Sequence, residues 1–318
     1  MLRYLPFLLC GLLPVPLCLA QNPAGPIMAV PDLQGVWSYT ALTPLQRPPE
    51  LGEQRSYRPS DLAELENRAW QRPGAGFGYA AAEFARLDGE VRTSLVIAPP
   101  DGRIPYRAQV APPEAENPVT ALPGPEAFSA RSRCLSGPAQ LPLLAPEPDT
   151  ALAERSIRII QTGDYLVISQ PAFAVLRIIR LNPQHAHAPP ARWWGDAVAT
   201  WDGDSLVINT SGFRREQSSA PIVSTAQLQI YERFTLMADN RLRYTYTVYD
   251  PGSYQLPFTV EMPLSRAPDS ALRGANDPCH EQNLSLPAAL LSARQREASG
   301  RWAGEPLHST GLCGESRT

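Results

Sequence analysis

The sequence predicts a mainly β protein: an antiparallel β-barrel carrying a long proline-rich loop and two short helices. Three observations predict it. Short runs of β-branched and aromatic residues recur at regular spacing between turn signals, a pattern that favours a sandwich or barrel over a parallel α/β sheet. The tract Arg192-Trp193-Trp194-Gly195-Asp196-Ala197-Val198-Ala199-Thr200-Trp201-Asp202-Gly203-Asp204-Ser205-Leu206-Val207-Ile208-Asn209 sets Asp-Gly between two such runs. That is a strong hairpin signal, because both central positions of a type I′ turn need positive φ. Finally, apolar residues alternate with a period of two over 227–236 and 242–250, so each segment buries one face.

The N-terminus is read as a signal peptide over 1–20. Arg3 supplies the positive end, 5–17 the apolar run, and Cys18-Leu19-Ala20 the small-x-small cleavage site before Gln21. Pro14 and Pro16 interrupt a run already too short to span a bilayer. Cys18 opens a lipid-anchored alternative, against which Val15-Pro16-Leu17 lacks the small residues that precede a lipidated cysteine. The mature chain is expected to be periplasmic or extracellular, with no transmembrane segment.

Residues 21–98 supply the first strands of the barrel domain and a short helix. Ser60 is placed as its cap, with Leu62, Leu65 and Ala69 on one stripe. A strand follows over 93–98. Residues 99–150 hold too many prolines for strands or helices and are read as a covering loop. The main antiparallel region and a C-terminal helix fill 151–300, and 301–318 is a tail. Within the main region, 157–160 and 165–169 flank a glycine-containing hairpin loop, Thr162-Gly163-Asp164, and 175–181 continues the meander. Further strands are expected over 205–209, 227–236, 242–250 and 258–262. The last helix runs over 285–298, with Pro287 tolerated in its first turn.

One hairpin can be registered from sequence. Pairing Leu236 with Leu242 sets Phe234 against Tyr244, Glu232 against Tyr246 and Ile230 against Val248. A slip of one residue would oppose Phe234 to Thr245 and Leu236 to Arg243, so the first register is preferred. It turns Glu232 and Asp250 inward. A buried carboxylate is costly unless partnered, so the pair marks a structural hydrogen-bond arrangement or a polar pocket.

Composition excludes several functions. A net charge of -3 and a pI near 5.9 argue against nucleic acid or an anionic membrane as partner. The chain has no lysine, which excludes Schiff-base chemistry and a phosphate-loop lysine. Cys134, Cys279 and Cys313 follow the signal peptide. One disulfide is expected in an oxidising compartment, with Cys134–Cys279 the preferred pair and Cys313 left over. The cysteines lack metal-binding spacing, so no metal or cofactor is expected.

Candidate chemistry lies in three places. Asp196, Asp202 and Asp204 suit calcium by ligand type, but Asp beside Gly is ordinary turn chemistry, and no Glu stands at the twelfth position of an EF-hand loop. Trp194 and Trp201 serve either packing or ligand stacking. In Cys279-His280-Glu281-Gln282-Asn283, His280 is the candidate general base, oriented by Asp196, Glu232 or Asp250. The competing reading makes Asn283 or Ser285 a helix cap and His280 an ordinary surface histidine. His185 and His187 fall in a proline-flanked loop with no third ligand evident.

Gly35-Val36-Trp37 resembles the opening of the lipocalin-like (calycin) barrels. The resemblance implies a glycine that permits close backbone crossing and a tryptophan that plugs one barrel end. Ordered motifs extend it. They are Asp32-Leu33-Gln34-Gly35-Val36-Trp37, Thr43-Pro44-Leu45-Gln46-Arg47-Pro48, Arg92-Thr93-Ser94-Leu95, Pro99-Pro100-Asp101-Gly102-Arg103-Ile104-Pro105, Arg133-Cys134-Leu135, Tyr231-Glu232-Arg233-Phe234-Thr235 and Thr247-Val248-Tyr249-Asp250-Pro251. With the tryptophan tract and Cys279-His280-Glu281-Gln282-Asn283, the chain from about Pro31 to Arg296 resembles a large family of uncharacterised secreted bacterial proteins. Where the family pattern carries Glu and His between the meander strands, this chain has Gln170 and Phe173; where it carries Gly after His-Glu, this chain has Gln282.

The leading functional expectation is a barrel that binds a small, partly apolar ligand, with Arg177, Trp194, Tyr244, Tyr246 and Asp250 as binding residues. The alternatives are an acid/base hydrolase or isomerase using His280 with Asp196 or Glu232, and a structural envelope-associated module.

Overall fold

In a computed structural model, the protein is described over residues 30–39, 42–70, 84–110, 156–171, 175–181, 191–214, 222–272 and 285–299. Residues 1–20, read from sequence as a signal peptide, most of the proline-rich loop, Phe173, His185, His187, His280 and the three later cysteines lie outside these residues.

Twelve strands and two α-helices are present among them. In chain order the elements are β1 (Gly35–Ser38), α1 (Pro59–Trp70), β2 (Arg86–Leu87), β3 (Glu90–Val91), β4 (Val96–Ala98), β5 (Ser156–Gln161), β6 (Tyr165–Gln170), β7 (Val175–Leu181), β8 (Asp196–Asp202), β9 (Ser205–Ser211), β10 (Gln229–Leu236), β11 (Leu242–Tyr249), β12 (Phe258–Ala267) and α2 (Ser285–Ala298). The sheet runs β1-β5-β6-β7-β8-β9-β10-β11-β12, and β12 pairs back onto β1. The result is a closed barrel of nine strands; β4 also pairs with β12, at Thr259 and Val260 where β12 does not meet β1, and β2–β3 form a small separate hairpin.

An odd ring cannot alternate strand direction all the way round. One neighbouring pair must be parallel, and here it is β7–β8, which among the described residues pair at Arg180↔Val198 and Leu181↔Ala199. Every other pair in the ring is antiparallel. The expectation of an antiparallel barrel with two short helices therefore holds, with one parallel seam added.

The β10–β11 register is the one that the apolar alternation predicts: Ile230↔Val248, Glu232↔Tyr246, Phe234↔Tyr244 and Leu236↔Leu242. The β8–β9 hairpin also forms, but its turn differs. Asp202 is still a paired residue, opposite Ser205, so the loop is Gly203-Asp204. Only Gly203 has positive φ (63°), which is the pattern of a type II′ turn with Gly at its first central position rather than the expected type I′. The first helix is also corrected at its start. It begins at Pro59, so Ser60 lies within the first turn and its hydroxyl bonds to Asp61 at 2.9 Å instead of capping the helix.

The N-terminal strand closes the ring. Trp37 is fully buried between β5 and β12 and donates from Nε1 to the Leu33 carbonyl at 2.9 Å. The Arg266 guanidinium lies 4.3 Å from the Trp37 ring centroid and donates from Nη1 to the Gln34 carbonyl at 2.7 Å. Gly35 has φ of +129°, and a Cβ there would stand 2.8 Å from Arg266 Nη1. The glycine therefore makes room for an arginine side chain from β12 and not for the close backbone crossing that the resemblance implies.

Inward residues of every ring strand form one apolar cluster, among them Trp37, Ile159, Ile168, Ile179, Ala199, Ile208, Phe234, Tyr246 and Val260. None of the helices among the described residues is long and apolar enough to cross a membrane.

Candidate functional site: a buried arginine–glutamate–tyrosine cluster

Period-two alternation on β7 turns Val175, Arg177 and Ile179 inward and leaves Leu176 and Ile178 exposed. The same alternation brings Thr210 inward on β9, Glu232 on β10, and Tyr244 and Tyr246 on β11. Four strands therefore aim polar atoms at one region of an otherwise apolar interior.

Arg177 and Glu232 meet there with side-chain exposures of 4% and 0%. Two hydrogen bonds join them in fork geometry, Nη2 to Oε2 at 2.8 Å and Nη1 to Oε1 at 3.2 Å. The Tyr244 hydroxyl donates to Glu232 Oε1 at 2.7 Å. The Tyr244 ring stacks on Phe234 with centroids 4.5 Å apart and lies 5.5 Å from that of Tyr246. A carboxylate and a guanidinium in such surroundings persist because each offsets the other's loss of hydration.

Two polar atoms of the cluster are left over. Tyr246 Oη and Arg177 Nε are buried and have no hydrogen-bond partner among the described residues. Tyr246 stands directly across from Glu232 in the β10–β11 ladder. An orphaned buried donor costs about 1–3 kcal/mol, so each has a physical need for an acceptor.

Comparison with family models and with curated proteins gives no match. The site is therefore read from its own geometry.

The sequence-predicted residues separate into groups. Arg177, Glu232, Tyr244 and Tyr246 come together. Asp196 does not join them. It begins β8 on the outward face, where Arg180 Nη2 contacts its carboxylate at 3.2 and 3.3 Å. Parity explains this: Ala197, Ala199 and Trp201 are the β8 residues that pack against the core, so Asp196 points the other way. Asp202 is likewise bound outside, by Arg233 at 2.6 Å. Asp250 is buried as expected but holds a turn, accepting from Thr225 N, Thr225 Oγ1, Gly252 N and Ser253 Oγ. Trp194 is half-buried in the turn before β8 and is not part of the core cluster. The proposed general base His280 and the Cys134–Cys279 pair lie outside the described residues.

Two inward polar residues were not among the expected site residues. Thr210 lies 3.5 Å from Arg177 Nη2, and alternation with Leu206 and Ile208 would have found it. Gln170, buried at 3% exposure, is two residues along β6 from Ile168, the partner of Arg177, and so on the same face. Its inward place follows from alternation with Leu166 and Ile168.

Burial also sets an alkaline limit. Loss of hydration pushes the Tyr244 phenol well above its ordinary value near 10, and the Glu232 charge adds to the shift. Tyr246 and Tyr254 shift upward for the same first reason, and Tyr106 is pushed up to about 12 by burial. The unfolded chain ionises these phenols first. Their contribution to stability is thus complete below pH 10 and falls as pH rises through the folded values, by about 1.4 kcal/mol per unit for each fully buried phenol. Ultraviolet titration should show these tyrosines ionising in one cooperative step, together with loss of β-structure, above pH 10. Smooth ionisation near pH 10 with the fold intact would contradict the burial described here.

Proposed function

We propose that the protein is an exported β-barrel that binds a small, partly apolar molecule in its interior, against Arg177, Tyr244 and Tyr246. The observation that carries the proposal is the pair of buried, unpartnered atoms, Tyr246 Oη and Arg177 Nε, beside an otherwise saturated polar cluster. Arg177 Nε only donates, so the molecule presents an oxygen that accepts. Glu232 already balances the guanidinium charge. The accepting group is therefore neutral, such as a carbonyl, ester or ether, because an added anion would leave net charge buried. Phe234, Tyr244 and Tyr246 supply an aromatic wall for the apolar part. An eight-stranded barrel already has room for one small ligand, and nine strands widen it. Export is supported by the Arg3, 5–17 and Cys18-Leu19-Ala20 pattern.

Native mass spectrometry of the protein recovered from its producing cells tests this. A bound organic mass, released on denaturation and reduced at least tenfold in Tyr246→Phe, is the expected result. Tyr246→Phe removes an unpartnered hydroxyl, so the variant should fold at least as stably as the parent. An empty chain, or a bound mass unchanged by Tyr246→Phe, would overturn the reading.

A further inference from the structure

Three of the tracts singled out in the sequence converge beside β4. Arg47, in the tract 43–48, donates from its backbone N to the Gly102 carbonyl at 2.9 Å and from Nη1 to the Pro100 carbonyl at 2.7 Å, both in the tract 99–105. Its Nε donates to Thr93 Oγ1 at 3.0 Å, in the tract 92–95. Between these tracts lies a cleft of about 130 Å³ lined by Arg47, Arg55, Arg92, Ser94 and Ile97.

The charges there do not balance. Arg92 holds both carboxylates in contact with the group, Glu90 at 3.2 Å and Glu261 at 3.2 Å. Arg47 is 3% exposed, and every hydrogen bond it makes goes to a carbonyl or hydroxyl oxygen. Asp101 and Glu53 act on it only at a distance, and burial together with Arg55 pulls its pKa down. Arg55 is exposed and forms no ion pair with a described residue.

Donors are also left open. Among the described residues, neither Arg47 Nη2 nor the buried Arg92 Nε has a hydrogen-bond partner. Gly102, at φ +70°, keeps the space before Arg47 clear: a Cβ would stand 2.9 Å from Nη2 and 2.6 Å from Ser94 Oγ.

We infer that this cleft binds the oxyanion of a small molecule, a carboxylate or a phosphate group, between Arg47, Arg55 and Arg92. Planar guanidinium forks match either anion, and the volume holds one such group but not a large ligand. Ile97 offers an apolar contact for whatever the group is attached to. The site shares no residue with the Arg177–Glu232 cluster and does not depend on the reading given for it.

Inorganic phosphate and sodium butyrate, each titrated at constant ionic strength while the arginine Nε–H signals are followed by NMR, test the inference. Saturable shifts of the Arg47 and Arg92 signals are expected, with affinity about tenfold weaker in Arg55→Gln. That variant removes an exposed side chain with no ion pair and leaves the fold intact. Response to phosphate alone assigns a phosphate group, to butyrate alone a carboxylate, and to both a general oxyanion site; each supports the inference. No saturable shift with either anion, or equal affinity in Arg55→Gln, overturns it.

Discussion

Arg177→Met is expected to destabilise the barrel by about 3–5 kcal/mol, because it strands the Glu232 carboxylate in an apolar interior. Glu232→Leu should do comparable damage from the other side, leaving the guanidinium without its fork partner and Tyr244 Oη without its acceptor. The double variant Arg177→Met/Glu232→Leu is the informative one. Removing both charges removes both penalties, so it should recover most of the loss and leave only the Tyr244 hydroxyl to be satisfied. Urea unfolding of the four proteins gives the coupling energy as a double-mutant cycle. If each single change costs under about 1 kcal/mol, the pair is not buried in the way described, and the interior is wetter than the structure implies. Recovery in the double variant also isolates function from folding. A stable barrel without the polar cluster should have lost its acceptor-bearing ligand.

The second large effect is at the seam. Trp37→Ala should cost about 3–5 kcal/mol, since the ring is fully buried where β1 joins β5 to β12. It also removes the aromatic face on which Arg266 rests, a contact of about 0.5–2 kcal/mol. Arg266→Ala isolates that second part and should cost no more than about 2 kcal/mol. The midpoint of urea unfolding reads both. A Trp37→Ala loss no larger than that of Arg266→Ala would mean that the tryptophan is not the plug of this barrel.

Local periodicity carried the legible part of the fold. On β10 and β11 a one-residue slip would place Arg243 and Thr245 in the core, so pairing and facing follow together, and Glu232 follows with them. The ring closure was less accessible. Gly35-Val36-Trp37 signals an N-terminal strand by resemblance, but nothing local says that it joins β12, more than two hundred residues away in the chain. The parallel seam between β7 and β8 follows from ring parity, a global property that no segment encodes. Asp196 shows how a single position decides a site. The tryptophan tract was legible as a hairpin, yet whether Asp196 faced inward depended on where β8 began its alternation, and the core claimed Ala197 and Ala199 instead. Arg47 stood in a tract marked only by resemblance, and nothing local showed it to be buried, because an arginine held by carbonyls in a proline-flanked tract follows no period.

The central claim is that Tyr246 Oη and Arg177 Nε meet a ligand rather than the protein itself. High-resolution crystallography of the protein as purified from its producing cells addresses this most directly. The account predicts density for an organic molecule, with an oxygen within hydrogen-bonding distance of Tyr246 Oη. A protein group, or an isolated water, filling that position would contradict it.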